Sequence, residues 1–269
     1  MKIRTRHCAL LLALLVTAAP SVRAQSLPEA GRALLRKYEH SMWTAEIQIS
    51  QSVSMNGQTG KTEVKVTTQG VLTDVGNLIA IPLSALEPAN MMRATNPQAQ
   101  HLRIDSQEVV AAKLLIPEGG ELPATVVYRD NDLDLAFLAP RGALPSNAVP
   151  IRLADAAKPG VLDTAIVLAR LENVDRGALM VNAGYIQAVL DKPQLAYLYQ
   201  HANISTLGCP VFMPDGKLIG MVLIRFTTSV QADGRETVAA LAMIQPTESI
   251  RAAATQAEAA AKKAAAPAK

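Results

Sequence analysis

The stretch that decides the fold is STLGCPVFMPDGKLIG, residues 205–220. A loop of small and polar residues leads into an apolar pair at 211–212. A short turn that contains Pro-Asp-Gly follows, and the chain then enters a strand that passes through Ile-Gly at 219–220. This order predicts two short strands joined by a tight turn and entered through a glycine-containing loop.

The rest of the chain continues this pattern in both directions. Apolar residues alternate in runs such as Ala45-Ile47-Ile49 and Val64-Val66, which flank a turn cluster at Asn56-Gly57. Many short strands with Gly, Pro and Asp between them predict an all-β barrel or sandwich. Strands are predicted at 71–81, 101–104, 109–115, 124–128, 135–138, 166–171, 178–189, 211–212, 218–226 and 238–244.

Both ends of this β region carry helical patterns. Residues 28–40 have helical spacing, with a proline near the first turn, and predict a short amphipathic helix that caps the barrel or docks a partner. At the other end, Thr247 or Ser249 is expected to cap a helix that packs on the barrel only at its start. Residues 252–269 are rich in Ala and Lys and predict a helical or disordered tail.

The first 24 residues have the three parts of a cleavable secretory signal. A basic start precedes an apolar run at 8–19, and Val22-Arg23-Ala24 forms a cleavage site. The apolar run is too short to span a bilayer, which takes roughly 20 residues. We therefore expect an exported protein, periplasmic or secreted, with no integral membrane segment after cleavage.

Removal of this segment changes the charge of the chain. It holds four of the 26 Lys and Arg residues and none of the 23 acidic ones, which leaves 22 basic against 23 acidic side chains. With one Trp and three Phe besides, the remainder lacks the basic field and aromatic platforms typical of nucleic-acid binding. Cys209 is then the single cysteine, which favours a buried thiol over a disulfide.

Three stretches of the sequence resemble trypsin-like serine proteases of the HtrA-like type. Residues 205–220 are similar to the nucleophile loop, Gly-Asn/Asp-Ser-Gly-Gly-Pro, with Leu207 in the serine slot. Residues 70–86 are similar to Gly-Phe-Ile-Ile-Asp-x-Gly-x-Ile-Leu-Thr-Asn-x-His-Val-Val, with Leu83 in the histidine slot. Residues 126–138 are similar to Val-Val-x-x-Asp-x-x-x-Asp-Leu-Ala-Val-Leu, and Asp134 keeps the aspartate slot.

The resemblance implies a trypsin-like double β-barrel over residues 43–251. It extends to the segments 150–168 and 242–246, and so covers most of the chain after the signal. The expected organisation is a signal peptide (1–24), an N-terminal helical segment (25–42), the double barrel and the tail (252–269).

The residues that would carry the family's chemistry are degenerate. Leucine offers no nucleophile at 207 and no lone pair at 83, so neither slot performs its family role. Asp134 is expected to cap backbone amides or to meet solvent. The loop slots hold Ser205, Thr206, Gly208 and Cys209, where the family has Gly, Asn/Asp, Gly and Gly; we expect this loop to be strained or collapsed.

The leading hypothesis is an exported, non-catalytic domain that serves as an interaction or scaffold subunit, for example of an envelope complex, or as a peptide-binding module. A protein or peptide would lie in the former cleft, where Leu83 and Leu207 are expected to face each other. One alternative is a serine-type endopeptidase of the HtrA-like family with a relocated nucleophile, in which His201 pairs with Cys209 or Ser205. Another is a peptide-binding quality-control module. The sequence predicts neither cofactor nor metal site, since His40 and His101 lack ligands at metal-binding spacing.

Overall fold

A computed structural model of the chain describes residues 26–55, 58–96, 99, 103–116, 119–171, 177–230 and 236–265. The predicted signal segment, the Asn56-Gly57 turn and His101 lie outside these residues. The described chain forms two closed, six-stranded antiparallel barrels, with one helix before the first barrel and one after the second. The predicted all-β double barrel with terminal helices is confirmed.

The first barrel has the strand order β1-β2-β3-β6-β5-β4. Its core contains mainly Ile, Leu and Ala side chains that alternate along the strands, together with Trp43. Its strands are β1 (Met42–Met55), β2 (Gln58–Leu72), β3 (Ile79–Pro82), β4 (Arg103–Leu115), β5 (Glu121–Asp130) and β6 (Leu135–Pro140). A helix, α2 (Pro88–Thr95), lies between β3 and β4.

The second barrel has the order β10-β11-β12-β9-β8-β7. Its core centres on Tyr197, Val211 and Val222, and includes the buried Cys209, as expected for a lone thiol in an apolar loop. Its strands are β7 (Thr164–Arg170), β8 (Leu179–Leu190), β9 (Ala196–Tyr199), β10 (Pro210–Phe212), β11 (Leu218–Val230) and β12 (Glu236–Pro246).

Two predictions about the strands were wrong, and two elements were missed. The strand predicted at 71–81 is interrupted, because residues 73–78 form a turn in which Gly76 and Asn77 have positive φ, and the Thr73 hydroxyl donates to the Leu78 carbonyl at 3.0 Å. The two strands predicted at 101–104 and 109–115 are one strand, β4. Helix α2 and strand β9 were not predicted, since each is short and has no clear period.

The N-terminal helix, α1 (Leu27–Tyr38), packs on β7 and β8 of the second barrel and joins the core that extends between the barrels. Its first turn is tied by a hydrogen bond from the Ser26 amide to Glu29 Oε2 at 3.0 Å. Leu34 and Tyr38 are buried, and the Tyr38 ring stacks on Phe212 with centroids 4.7 Å apart. The apolar face of α1 is therefore part of the core shared by the two barrels.

The C-terminal helix, α3 (Thr247–Ala265), packs along much of its length. Ile250, Ala253, Ala254 and Ala257 are buried in the same inter-barrel core, and the helix contacts β5 and β6 of the first barrel as well as β11 and β12. The expectation that it packs only at its start is wrong, because alanine on one face lets the helix approach closely without a large apolar side chain. No helix in the described part of the chain is long and apolar enough to cross a membrane.

This packing predicts unequal effects of one substitution at two neighbouring alanines of α3. Ala257 is fully buried and Ala259 is exposed. We expect Ala257→Glu to lower the free energy of unfolding by more than about 2 kcal/mol, because it places a charge in an apolar interface. Ala259→Glu is the matched control, with an expected change within about 0.5 kcal/mol. Urea unfolding measures both, and equal effects would contradict the packing of α3 beyond its first turns.

Candidate functional site

The slots of the catalytic triad lie where the two barrels meet. Leu83 begins a 3-10 turn (Leu83–Leu86) directly after β3, and its amide donates to the Asp134 carbonyl at 2.8 Å. Asp134 immediately precedes β6, and Leu207 follows a second 3-10 turn (Ile204–Thr206) on the way to β10. The structure thus places each slot on an element boundary at the edge of a barrel.

Asp134 is a buried carboxylate that binds donors from both barrels. Its Oδ1 accepts from the Ser84 amide at 2.6 Å, and its Oδ2 accepts from the Ser84 hydroxyl at 3.1 Å and from the Ile224 amide at 2.8 Å. The expectation that it caps backbone amides is confirmed. Its φ of +56° is unusual for a residue with a side chain and is held by these contacts. Asp134 now joins β6 to β11 across the barrel interface.

The protonation of Asp134 follows from its burial. Desolvation raises the pKa of this carboxyl from 3.8 to about 7, against the hydrogen bonds from Ile224 and Ser84, which lower it. The nearby carboxylate of Glu87 raises it slightly further. At neutral pH the carboxyl therefore exchanges between its neutral and charged forms.

This pKa predicts a dependence of stability on pH. Because the folded state holds the Asp134 proton more tightly than the unfolded chain, its contribution to stability is complete below about pH 4 and is lost as the pH rises through about 7. Within that interval the slope approaches about 1.4 kcal/mol per pH unit. We expect Asp134→Asn to flatten the pH profile of the unfolding free energy between pH 4 and 8. Parallel profiles for the two proteins in urea titrations would contradict this assignment.

The two leucines that replace the histidine and the serine occupy different places. Leu83 is buried in the core of the first barrel, whereas Leu207 is half-buried and packs against the core of the second. They also line different cavities. Pro82 and Ser84, the neighbours of Leu83 in the chain, line the same cavity as Leu207, and the expectation that the two leucines face each other stays a prediction.

The loop in the oxyanion-hole position is closed by its own hydrogen bonds. The Ser205 amide donates to Asn203 Oδ1 at 2.9 Å, and the Ser205 hydroxyl donates to the same oxygen at 2.6 Å. The Leu207 amide donates to the Ile204 carbonyl at 3.4 Å. An oxyanion hole needs such amides to point at the developing negative charge. Of the two expected states of this loop, the structure shows the collapsed one.

The retained glycine of the loop has a structural role of its own. Gly208 has φ +77°, and a Cβ atom built on it would lie 2.1 Å from the Gln69 carbonyl oxygen. Its amide donates to the Val222 carbonyl at 2.8 Å, which docks the loop on β11. The backbones of β2 and the loop thus touch at this point, and only a residue without a side chain fits.

Gln69 is the residue that sequence reasoning missed. Its Oε1 accepts from the Arg170 amide at 2.7 Å and from Cys209 Sγ at 3.2 Å, and its Nε2 donates to the Ser205 carbonyl at 3.4 Å. One side chain of the first barrel therefore fixes the loop and β7 of the second. No feature of the sequence distinguishes Gln69 from other polar residues. The turn within the loop itself does have a sequence signal, because the Asn-x-Ser spacing of Asn203 and Ser205 is typical of a local turn.

The structure does not pair His201 with either proposed nucleophile. Its ring stands edge-on to Tyr199, with centroids 5.7 Å apart, and packs against Gly184 of β8. Ser205 donates its hydroxyl proton to Asn203, and Cys209 donates to Gln69. In the described part of the chain, no group of three or more His, Cys, Asp or Glu side chains is placed to hold a metal ion.

Helix α2 divides the former cleft into two open cavities. One, of about 480 Å³, is lined by residues 66–69 of β2, by Pro88 and Met91 of α2, and by Ile204 and Leu207. The other, of about 750 Å³, is lined by Leu83, Glu87, Asn90, Asp134 and residues 224–227 of β11. Because α2 also packs against β12, it stands between the two halves and connects the barrels.

This fold and site define the class of a trypsin-like double β-barrel. Residues 93–221 match the family model of the trypsin-like peptidase domain. This part of the chain is therefore similar to a trypsin-like peptidase domain, and an HtrA-type protease is among the solved structures that the whole fold resembles. No curated protein sequence matches the chain.

Two solved structures illustrate the likeness. An HtrA-type protease, an AlgW variant with a decapeptide, aligns with a TM-score of 0.53 and 14% sequence identity over 81% of this chain, which spans 63% of the AlgW chain. The apo MamO protease domain from Magnetospirillum magneticum aligns with a TM-score of 0.44 and 15% identity over 76% of this chain and 94% of its own. At such low identity the AlgW match supports the shared fold alone.

Proposed function

We propose that this chain is a non-catalytic trypsin-like domain that binds a protein or peptide partner. The observation that carries the proposal is the closed loop at Ser205, whose amide and hydroxyl are both bound to Asn203 Oδ1. A trypsin-like enzyme needs a nucleophile, a base and an oxyanion hole at one point. Here leucine occupies the slots of the first two, and the amide needed for the third is used inside the loop.

The binding role is supported by the cavity of about 480 Å³. Residues 66–69 of β2 line it, and within the described residues β2 pairs with β3 only at Val71 and Leu72. An unpaired strand edge beside an apolar cavity accepts an extended peptide through main-chain hydrogen bonds, which require no nucleophile. Ile204, exposed at 63%, forms an apolar rim to this cavity.

Export is part of the same proposal. The segment 1–24 has the composition of a secretory signal, and a partner would then be met in the periplasm or outside the cell. The role of a subunit in an envelope complex is consistent with a domain in which fold and cleft are kept without the reactive groups.

Casein turnover by the purified chain, lacking the predicted signal segment, tests the absence of catalysis. We expect no hydrolysis above the blank, and no difference between the parent protein and the variants Ser205→Ala and Cys209→Ala. Turnover that either substitution abolishes would establish the relocated-nucleophile enzyme and overturn the proposal.

The binding role has a separate test. We expect Ile204→Asp to release a partner that co-purifies stoichiometrically with the tagged parent protein, because it places a charge on the rim of the apolar cavity. Leu162→Asp is the matched control, since Leu162 is also an exposed apolar residue but lies outside both cleft cavities. Equal loss of the partner from both variants, or retention by both, would contradict binding in this half of the cleft.

A further inference from the structure

A second groove lies outside the former cleft, where β4 and β5 separate. Within the described residues these strands pair only from Ala112–Ala124 to Leu115–Glu121. Beyond that point β4 continues back to Arg103 with β1 on its other side, and β5 continues to Asp130 with β6 on its other side. Between the separating strands is an open cavity of about 530 Å³.

The walls of this groove are two strand edges. Residues 107–112 of β4 and residues 123–126 of β5 line it, so the backbone of each strand has a neighbour on one side and the groove on the other. An extended strand presents alternate N–H and C=O groups along such an edge, and these groups pair with water or with another chain. A short extended segment placed here would find main-chain partners.

The side chains of the groove indicate what that segment carries. Arg129 and Arg141 stand on one wall and Glu108 is the single acid among the lining residues. Arg141 Nε donates to the Thr125 hydroxyl, which orients its guanidinium, while no hydrogen bond or ion pair within the described residues engages the exposed side chain of Arg129. Val110, at a bulge opposite Gln48 and Ile49, is exposed at 54% and adds an apolar contact.

We propose that the groove between β4 and β5 binds an extended acidic segment of a partner protein by strand addition. Carboxylates of the segment pair with Arg129 and Arg141, which favour bidentate contacts, and an apolar side chain packs on Val110. This surface goes beyond the proposed function, since none of its lining residues borders the former cleft.

Fluorescence anisotropy tests this with a labelled peptide, Glu-Val-Glu-Val-Glu-Val, and the chain lacking its predicted signal segment. We expect binding that weakens at least about tenfold when Lys replaces Glu in the peptide. Methylation of alternate peptide amides is expected to weaken it by a similar factor, since it removes main-chain donors. Absence of binding by the acidic peptide, or equal binding of the methylated peptide, would overturn the proposal.

A pair of charge-reversal variants locates the site. Arg129→Glu with Arg141→Glu is expected to weaken binding at least about tenfold. Arg152→Glu with Lys158→Glu makes the same change of charge at exposed positions outside the groove and is expected to stay within about twofold. Circular dichroism melts confirm that both variants are folded. If both variants bind the peptide equally weakly, the effect comes from net charge, and the proposed site between β4 and β5 is wrong. None of these outcomes depends on the casein result or on the Ile204 variant.

Discussion

Gly208→Ala is expected to lower the free energy of unfolding by more than about 3 kcal/mol. A methyl group at this position would lie 2.1 Å from the Gln69 carbonyl oxygen, and the φ of +77° disfavours any side chain. Backbone occupies both sides of the contact, so no rotamer change relieves it. The loop would have to leave β2, with loss of the contacts that Gln69 makes to the second barrel.

Urea unfolding of the parent and the variant measures this effect. Gly60→Ala is the matched control, because Gly60 lies in β2 with ordinary φ and a Cβ atom there meets no atom within 4 Å. We expect that control to change stability by less than about 0.5 kcal/mol. If the Gly208→Ala protein has the same free energy of unfolding as the parent, the loop is free to move away from β2. The glycine at this position would then need another explanation.

The second prediction with a large expected effect is that restoring the histidine and the serine of the triad does not restore proteolysis. A variant with Leu83→His and Leu207→Ser has the residue types of the triad, yet we expect no casein turnover from it. The Ser205 amide remains bound to Asn203, and loss of one oxyanion donor alone costs about 100- to 1,000-fold in rate. The carboxylate of Asp134 is, in addition, already bound to Ser84 and Ile224.

Further substitutions in the loop separate these causes. Addition of Asn203→Ala and Ser205→Gly removes the acceptor and lets the loop backbone turn, while Asp134 stays bound to Ser84 and Ile224, so turnover gained by this four-residue variant would assign the block to the loop. Turnover by the two-residue variant alone would contradict the closed loop as the second barrier to catalysis. Near-ultraviolet circular dichroism of both variants controls for folding.

The sequence predicted the architecture well because alternation and turn residues are local signals. The all-β barrel architecture, the terminal helices and the burial of Cys209 were anticipated from such local patterns, whereas the double barrel and the site position of Asp134 came from the resemblance to a family. The strand predicted at 71–81 was wrong because apolar residues continue on both sides of a short turn, although Asp74, Gly76 and Asn77 are turn-forming residue types and the last two have positive φ.

The contacts of the site were less predictable because they join residues far apart in the chain. Gln69 binds Arg170 and Cys209 across the barrel interface, and nothing in its neighbourhood distinguishes it from other polar residues of β2. The packing of Leu83 in the core of the first barrel, and of Leu207 against the core of the second, likewise depends on contacts between distant residues. Residue type identified the missing chemistry, whereas only the structure shows the closed loop.

The central claim is that the chain retains a protease fold without a reactive nucleophile. Its most direct test is intact-mass analysis after treatment of the native chain with excess fluorophosphonate. Trypsin is the positive control. An activated serine displaces fluoride from this reagent and gains its mass. The account predicts an unmodified chain under conditions that label trypsin completely. An adduct on Ser205, or on any serine that loses its reactivity when the chain is unfolded, would contradict it.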